Sequence, residues 1–139
     1  MAEDDVIAAL AASEMFGGLP PKRLRDIARA GREIAFPAGA ELMLEGDAGG
    51  RFFLIISGEA EVSAGGRVRA TLGAGGAVGE TALLDGGPRS ATVRAVNDIE
   101  TFSLAHWNFR PFLEEHDVLQ AVITLLCRRV RQAEAAAAG

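Results

Sequence analysis

The sequence is poor in the residues that metal sites, disulfides and catalytic centres use. It has one cysteine and two histidines in 139 residues. A lone cysteine excludes an intramolecular disulfide and a zinc site made of cysteines. His106 and His116 lie outside the predicted strands, whereas a jelly-roll metalloenzyme holds its metal with histidines and carboxylates clustered on strands. No nucleophile with a neighbouring base stands out either, so we expect no metal, no cofactor and no catalytic residue.

Long apolar runs and a positive charge excess are also missing. No uninterrupted apolar stretch approaches the ~20 residues of a transmembrane helix, so we predict no membrane span in this chain. Residues 1–5 are acidic where a secretory signal would be basic, and we expect a cytoplasmic protein. The formal net charge of −5 argues against direct nucleic-acid binding. Any anionic ligand must therefore be captured by local geometry.

Glycine and hydrophobic residues are abundant instead. Hydrophobic residues make up 49% of the chain, which suits one globular core at this length. The 17 glycines are concentrated in the middle, as is typical of short strands joined by tight turns. We predict a single domain over 1–139, with N-terminal helices in 1–31, a β-roll in 32–104 and C-terminal helices in 105–139.

Hydrophobic periodicity locates the elements. Two helices are predicted over 4–12 and 21–30, the second beginning at Pro21 and ending before Gly31. The predicted strands cover 33–36, 41–44, 52–56, 60–63, 67–72, 89–96 and 99–104. The fold class is therefore α+β, mainly β: a jelly-roll-like β-roll with helices at both ends.

The last third of the chain is predicted to be helical. Pro111 should distort a helix over 106–115, and Asp117 should cap the helix that follows. Cys127 should be a small buried residue in that last helix. The helix has a broad apolar face, which must cover the β-roll, a second subunit or a ligand. This face comprises Val118, Leu119, Val122, Ile123, Leu125, Leu126 and Val130.

Residues 79–93 contain the parts of an anion-binding site. Gly79 lets the backbone approach a ligand closely. Residues 80–84 can form one helical turn, whose first amides have no partner within the helix and favour a phosphate. The turn residues 85–88 then reverse the chain and place Arg89 near these amides. Its guanidinium suits forked hydrogen bonding to phosphate oxygens. This stretch breaks the regular strand pattern, which often marks function.

Glu80 is the unexpected residue in this stretch, because its charge would repel a phosphate beside it. An ionised carboxylate only accepts hydrogen bonds, so the ligand should also carry a hydroxyl donor, such as a ribose 2′-hydroxyl. Phosphate and ribose at such short range indicate a nucleotide whose phosphate is closed onto its own sugar. The alternative is a structural ion pair between Glu80 and Arg89 that braces a surface turn.

The sequence Gly-Glu-x-Ala-Leu-Leu at 79–84, followed by Pro-Arg-Ser-Ala-Thr-Val at 88–93, resembles the phosphate-binding cassette of cyclic nucleotide-binding domains. These domains occur in the bacterial cyclic AMP receptor protein, protein kinase A regulatory subunits and cyclic nucleotide-gated channels. The resemblance extends over nearly the whole chain, from the first helices to the two closing helices. It implies the β-roll fold and a short helix within the cassette.

The resemblance also assigns roles to residues of the cassette. It implies that Glu80 accepts the ribose 2′-hydroxyl and that Arg89 pairs with the cyclic phosphate. Amides around Ala82 and the Ser90 hydroxyl complete the phosphate cradle, and Gly79 permits the approach. The predicted ligand-binding residues are Gly79, Glu80, Thr81, Ala82, Arg89, Ser90 and Ala91.

For the base, the resemblance implies an apolar pocket and a lid formed by the last helix. The candidates are Val62, Leu72 and Val78 for the pocket, and Leu126, Arg129 and Val130 for the lid. Cyclic AMP is favoured over cyclic GMP. At the position of Ser90, family members selective for cyclic GMP often have threonine and those selective for cyclic AMP often have alanine, and serine falls between the two.

The implied function is a regulatory sensor that relays ligand occupancy through its C-terminal helices. The partner that responds to ligand occupancy would be a linked effector domain or a second copy of the chain, which would bind through the apolar helix face. Two alternatives stay open at this point. One is a structural or protein-interaction module that keeps the fold without a ligand, and the other is a cyclic GMP sensor.

Overall fold

The central strands pair into two antiparallel sheets. A computed structural model describes residues 3–138. Its elements, in chain order, are α1 Glu3–Ala12, α2 Pro21–Ala30, β1 Arg32–Phe36, β2 Glu41–Met43, β3 Arg51–Ser57, β4 Ala60–Ala64, β5 Arg67–Leu72, β6 Ala77–Val78, α3 Glu80–Asp85, β7 Thr92–Ala95, β8 Ile99–Ala105, α4 His106–Phe109, a 3-10 helix Arg110–Glu114 and α5 His116–Ala138. The predicted α+β β-roll with helices at both ends is confirmed.

Each sheet has four strands within the described residues. One has the order β1-β8-β3-β6 and the other β2-β7-β4-β5. The two sheets face each other across an apolar interior, which is how a roll buries strands without leaving a large exposed sheet face. Along the chain, the cassette helix α3 follows β6, an edge strand of the first sheet, and precedes β7 of the second sheet.

Strand β3 explains why the run Phe52–Ile56 is continuously apolar. Phe52 and Leu54 pack into a cluster with the helices, whereas Phe53 and Ile55 pack into the interior of the roll. Successive side chains of a strand point to opposite faces, so a strand with a core on each side needs apolar residues at every position. The prediction of a buried strand here is confirmed.

The N-terminal helices pack against the outer face of the first sheet. Val6 and Leu10 of α1, and Leu24 and Ile27 of α2, are buried in the same cluster as Phe52. The predicted bounds of α2 are confirmed, with Pro21 in its first turn. These helices also position the loop before α2, which reaches the C-terminal half of α5.

Of three local predictions for the C-terminal third, the structure corrects two and confirms one. Asp117 lies inside the first turn of α5, which begins at His116; its carboxylate accepts hydrogen bonds from Val118 and from Arg23, at 2.8 and 3.2 Å. Cys127 is exposed, because α5 buries only the face formed by Val118, Val122 and Leu125. The distortion of the preceding helix is confirmed, since the chain becomes a 3-10 helix around Pro111.

The predicted strand 89–96 is shorter than expected. Strand β7 covers only Thr92–Ala95, and Arg89 lies before it in a loop. The Arg89 amide donates to the Asp47 carbonyl at 2.9 Å, and its own carbonyl accepts from the Gly46 amide at 2.9 Å. Arg89 is therefore held by a neighbouring loop and not by a sheet.

Within residues 3–138, no helix combines the length and apolarity needed to cross a bilayer.

Candidate functional site

The helix α3 begins at a glycine that no other residue could replace without displacement. Gly79 has φ of +85°, in the left-handed region. A Cβ atom on it would lie 2.6 Å from the Arg51 carbonyl oxygen and 2.9 Å from Nη1 of Arg89. At the other end, Gly86 has φ of +70° and its amide donates to the Ala82 carbonyl at 2.8 Å. The predicted helical turn is confirmed and spans Glu80–Asp85.

Arg89 is buried beside this helix. The residue is only 8% exposed to solvent. Its Nη1 donates a hydrogen bond of 2.5 Å to the Arg51 carbonyl oxygen. A second glycine makes room for it, since a Cβ atom on Gly49 would lie 2.0 Å from Nε of Arg89. Two glycines from separate loops thus flank one guanidinium.

The electrostatics of Arg89 are those of a cation without a counter-ion. Among the described residues, no carboxylate lies within 4.0 Å of its guanidinium. Burial, with a smaller contribution from the positive charge of Arg51, lowers the pKa of Arg89. An arginine nevertheless stays charged at neutral pH. A buried charge that lacks a partner is costly, so this site favours an anion.

Glu80 has a different partner from the one considered in the structural alternative. Its Oε1 lies 3.1 Å from Nη2 of Arg129 on α5, not beside Arg89. The same Arg129 nitrogen lies 3.3 Å from Oε2 of Glu14, and Arg128 pairs with the other oxygen of Glu14 at 3.3 Å. The hypothesis of a bracing Glu80–Arg89 ion pair is therefore wrong.

A cavity of about 330 Å³ lies between α3 and the second sheet. This volume is within the range of small-molecule sites. All seven residues predicted to bind the ligand line it, and so do Val62, Leu72 and Val78 from the predicted base pocket. Glu80, Arg89 and Ser90 contribute polar side chains to the lining, and strand residues such as Val62 and Leu72 contribute apolar ones. The direct contact of each residue with a ligand stays a prediction.

The three predicted lid residues do not line this cavity. Leu126 and Val130 are about half exposed, on another face of α5. Arg129 reaches the site only through its ion pair with Glu80. Their helical register could not be predicted from the sequence, because the apolar residues of α5 occupy more than one face.

Sequence reasoning also missed several lining residues, namely Met43, Ala70, Ala77, Pro88 and Val93. Strand register explains two of them. Val62 of β4 lies opposite Val93 of β7 and Ala70 of β5, so the three share one face of the sheet. The signal that could have identified Ala70 and Val93 was the pairing of their strands with β4.

Comparison with known proteins places the chain among regulatory domains. Residues 33–116 match the family model described as "Cyclic nucleotide-binding domain". The chain is 39% identical over 101 residues to a cyclic nucleotide-gated potassium channel of Mesorhizobium japonicum, and the match covers 73% of this chain and 28% of the channel. It is 32% identical over 128 residues to the cyclic AMP receptor protein of Thermus thermophilus, covering 88% of this chain and 59% of the receptor.

The solved structures agree with these relatives. The regulatory domain of Toxoplasma gondii PKA, solved with cAMP, superposes with a TM-score of 0.73 at 33% identity, over 78% of this chain and 43% of that chain. The chain therefore spans between about a quarter and three fifths of the length of the proteins it is compared with. On the match over 33–116 and the shared fold, the chain belongs to the cyclic nucleotide-binding domain family.

Proposed function

We propose that the chain binds cyclic AMP in the cavity between α3 and the second sheet, as a regulatory sensor without catalysis of its own. The observation that carries the proposal is Arg89: a buried guanidinium that lines the cavity and has no carboxylate partner among the described residues. An anionic ligand supplies the counter-charge. Glu80, which also lines the cavity, supplies the acceptor that a ribose hydroxyl needs.

The polar and apolar lining residues of the cavity suit different parts of the nucleotide. Arg89 pairs with the cyclic phosphate, helped by the Ser90 hydroxyl and by the first amides of α3, which have no partner within the helix. Glu80 accepts the 2′-hydroxyl, while Thr81, Ala82 and Ala91 form the walls around sugar and phosphate. The apolar lining that includes Val62, Leu72 and Val78 receives the base.

Cyclic AMP is the ligand we put first, and the likeness to a kinase regulatory domain solved with cAMP supports it. Occupancy is relayed by a shift in population between positions of the C-terminal helices, which a linked domain reads. This role agrees with the regulatory relatives, of which the chain spans only a part.

A thermal-shift titration with cyclic AMP and cyclic GMP in parallel, followed by isothermal titration calorimetry, tests the proposal. A ligand at a hundred times its Kd stabilises the folded state by about 2.7 kcal/mol, which raises the melting temperature by several degrees. We expect the larger rise with cyclic AMP. If neither nucleotide raises the melting temperature, the ligand-free interaction module is the better interpretation.

We also propose that α5 pairs with a second copy of the chain. The exposed residues Leu119, Ile123, Leu126 and Val130 recur at intervals of four, three and four residues. In heptad terms, β-branched residues occupy the a positions and leucines the d positions, the arrangement that favours parallel two-stranded coiled coils.

Sedimentation equilibrium tests this pairing. We expect a dimer for the wild-type chain and a monomer for Val130→Asp, which places a charge in the apolar seam. Arg131→Asp, a change of charge on the exposed face of α5 away from the seam, is the matched control and should leave the dimer intact. A wild-type chain that stays monomeric at tens of micromolar would refute the pairing and leave nucleotide binding untouched.

A further inference from the structure

His106 connects the cassette helix to the helices that follow the β-roll. It is the first residue of α4 and directly follows β8. Its Nδ1 lies 2.6 Å from the carbonyl oxygen of Leu83 in α3. Because a carbonyl oxygen only accepts hydrogen bonds, Nδ1 carries the proton and donates it. The side chain thus bridges two helices that are separated in the sequence by strands β7 and β8, which belong to different sheets.

The position of His106 is defined by contacts on three sides. Its backbone amide donates to the Gly50 carbonyl at 2.5 Å, which holds the residue beside the start of β3. Its ring lies against Gly86, where a Cβ atom would come within 3.3 Å of both Cδ2 and Nε2. Gly86 is the residue that ends α3. The imidazole therefore covers the C-terminal end of the cassette helix.

The last carbonyls of a helix lack partners within it. At the end of α3, the Gly86 amide donates a hydrogen bond to the Ala82 carbonyl, and the His106 imidazole donates one to the Leu83 carbonyl. The side chain of Leu83 is fully buried in the same cluster as Phe109 of α4. Apolar packing and one directional hydrogen bond thus join α3 to α4 at the end opposite the cavity.

We propose that His106 is a positioning residue that couples α3 to α4, so that a shift of the cassette helix on nucleotide binding moves the C-terminal helices. The proposal rests on the proposed function. His106 does not line the cavity, so it acts through α3 and not on the ligand. The hydrogen bond to Leu83 is directional, so it adds a constraint on the relative orientation of α3 and α4 to their apolar packing.

The test is hydrogen-exchange mass spectrometry on the wild type, His106→Leu and His106→Asn, each with and without saturating cyclic AMP. Leucine keeps much of the volume and removes the donor; the asparagine amide places an N–H near the position of Nδ1. Circular dichroism melting checks that each variant folds. If His106→Leu fails to fold, His106→Gln replaces it, because its amide occupies the position of Nε2 instead.

Without nucleotide, we expect exchange in the segment 80–86 to be about two- to tenfold faster in His106→Leu, and close to wild type in His106→Asn. With cyclic AMP bound to all three, the change in protection over 106–130 should fall by more than half in His106→Leu and be restored in His106→Asn. Rescue by asparagine is a result that general destabilisation would not give.

Two results would overturn the coupling while leaving the proposed function intact. One is a His106→Leu variant that binds cyclic AMP and responds over 106–130 as fully as the wild type. The other is a His106→Asn variant as impaired as His106→Leu. A wild-type chain that does not bind cyclic AMP overturns the proposed function, and the coupling falls with it.

Discussion

Two arginines near the cassette differ in their burial and in the groups they contact. Arg89 is 8% exposed, donates to a backbone carbonyl and has no carboxylate partner among the described residues. Arg129 has a side chain 47% exposed and pairs with both Glu14 and Glu80. A buried cation without a counter-ion lowers stability unless a ligand completes it, whereas an exposed ion pair contributes little. The first arrangement points to a ligand, and the second points to a link between elements.

The strongest test of this contrast is the replacement of Arg89. We expect Arg89→Leu to weaken cyclic AMP binding at least tenfold, because a charge-assisted contact is worth ~1.5–3 kcal/mol. The melting temperature without nucleotide should stay the same or rise, since the change removes a buried charge that has no carboxylate partner among the described residues. Calorimetry and thermal melting measure the two effects. The exposed Arg94→Leu is the matched control and should bind as the wild type does.

The next test moves Arg89 without changing it. A Cβ atom on Gly49 would lie 2.0 Å from Nε of Arg89, so the arginine side chain must move to accommodate it. We therefore expect Gly49→Ala to weaken cyclic AMP binding by about tenfold while changing the free energy of unfolding by less than about 1 kcal/mol. Gly18→Ala, with open space around its Cβ position, is the control. Unchanged affinity in Gly49→Ala would mean that the guanidinium position does not matter.

Glu80 should have a smaller effect, because it accepts a neutral hydroxyl. We expect Glu80→Gln to weaken cyclic AMP binding by about three- to tenfold. The matched test of its role is the 2′-deoxy nucleotide, which lacks the hydroxyl and should bind both proteins with similar affinity. Glu61→Gln, on an exposed position of β4, is the control variant. A wild type that does not discriminate against the 2′-deoxy ligand would contradict the assignment.

The smallest effect is expected at Arg129. An exposed ion pair is worth ~0–1 kcal/mol, so Arg129→Met should change the affinity for cyclic AMP by less than about fivefold. The effect should shrink further in 0.5 M salt, because screening already weakens the pair in the wild type. Calorimetry at two salt concentrations measures both. A loss as large as that of Arg89→Leu would remove the distinction between the two arginines.

The elements of the site could be predicted where local chemistry decides them. The turn residues around 79 and 86–88 and the helix formers between them predicted a helical turn, and the structure has one at Glu80–Asp85. The apolar run of β3 and the stop at Gly31 were also local signals. The prediction that Arg89 lies on a strand was wrong, because its backbone is held by hydrogen bonds to the loop at Gly46–Asp47.

The errors and the contacts that went unpredicted share a physical reason. The exposure of Cys127 and the pairing of Glu80 with Arg129 contradict expectations, and the contact of His106 with Leu83 had no sequence signal; all three depend on which face of a helix meets which distant segment. Periodicity shows that α5 is apolar over more than one face, but burial of one face and exposure of another follow from packing that is set far away in the sequence.

The sequence by itself determined the order of the elements, the cassette and the residue types that a cyclic ribose phosphate needs. These follow from backbone preferences and from hydrogen-bonding capacity, which are properties of short stretches. Only the tertiary structure decided that Arg89 is enclosed by two glycines with no carboxylate beside it among residues 3–138, and that α3 is joined to α4 through one imidazole. Burial and pairing are relations between distant residues, so they exist only once the chain has folded.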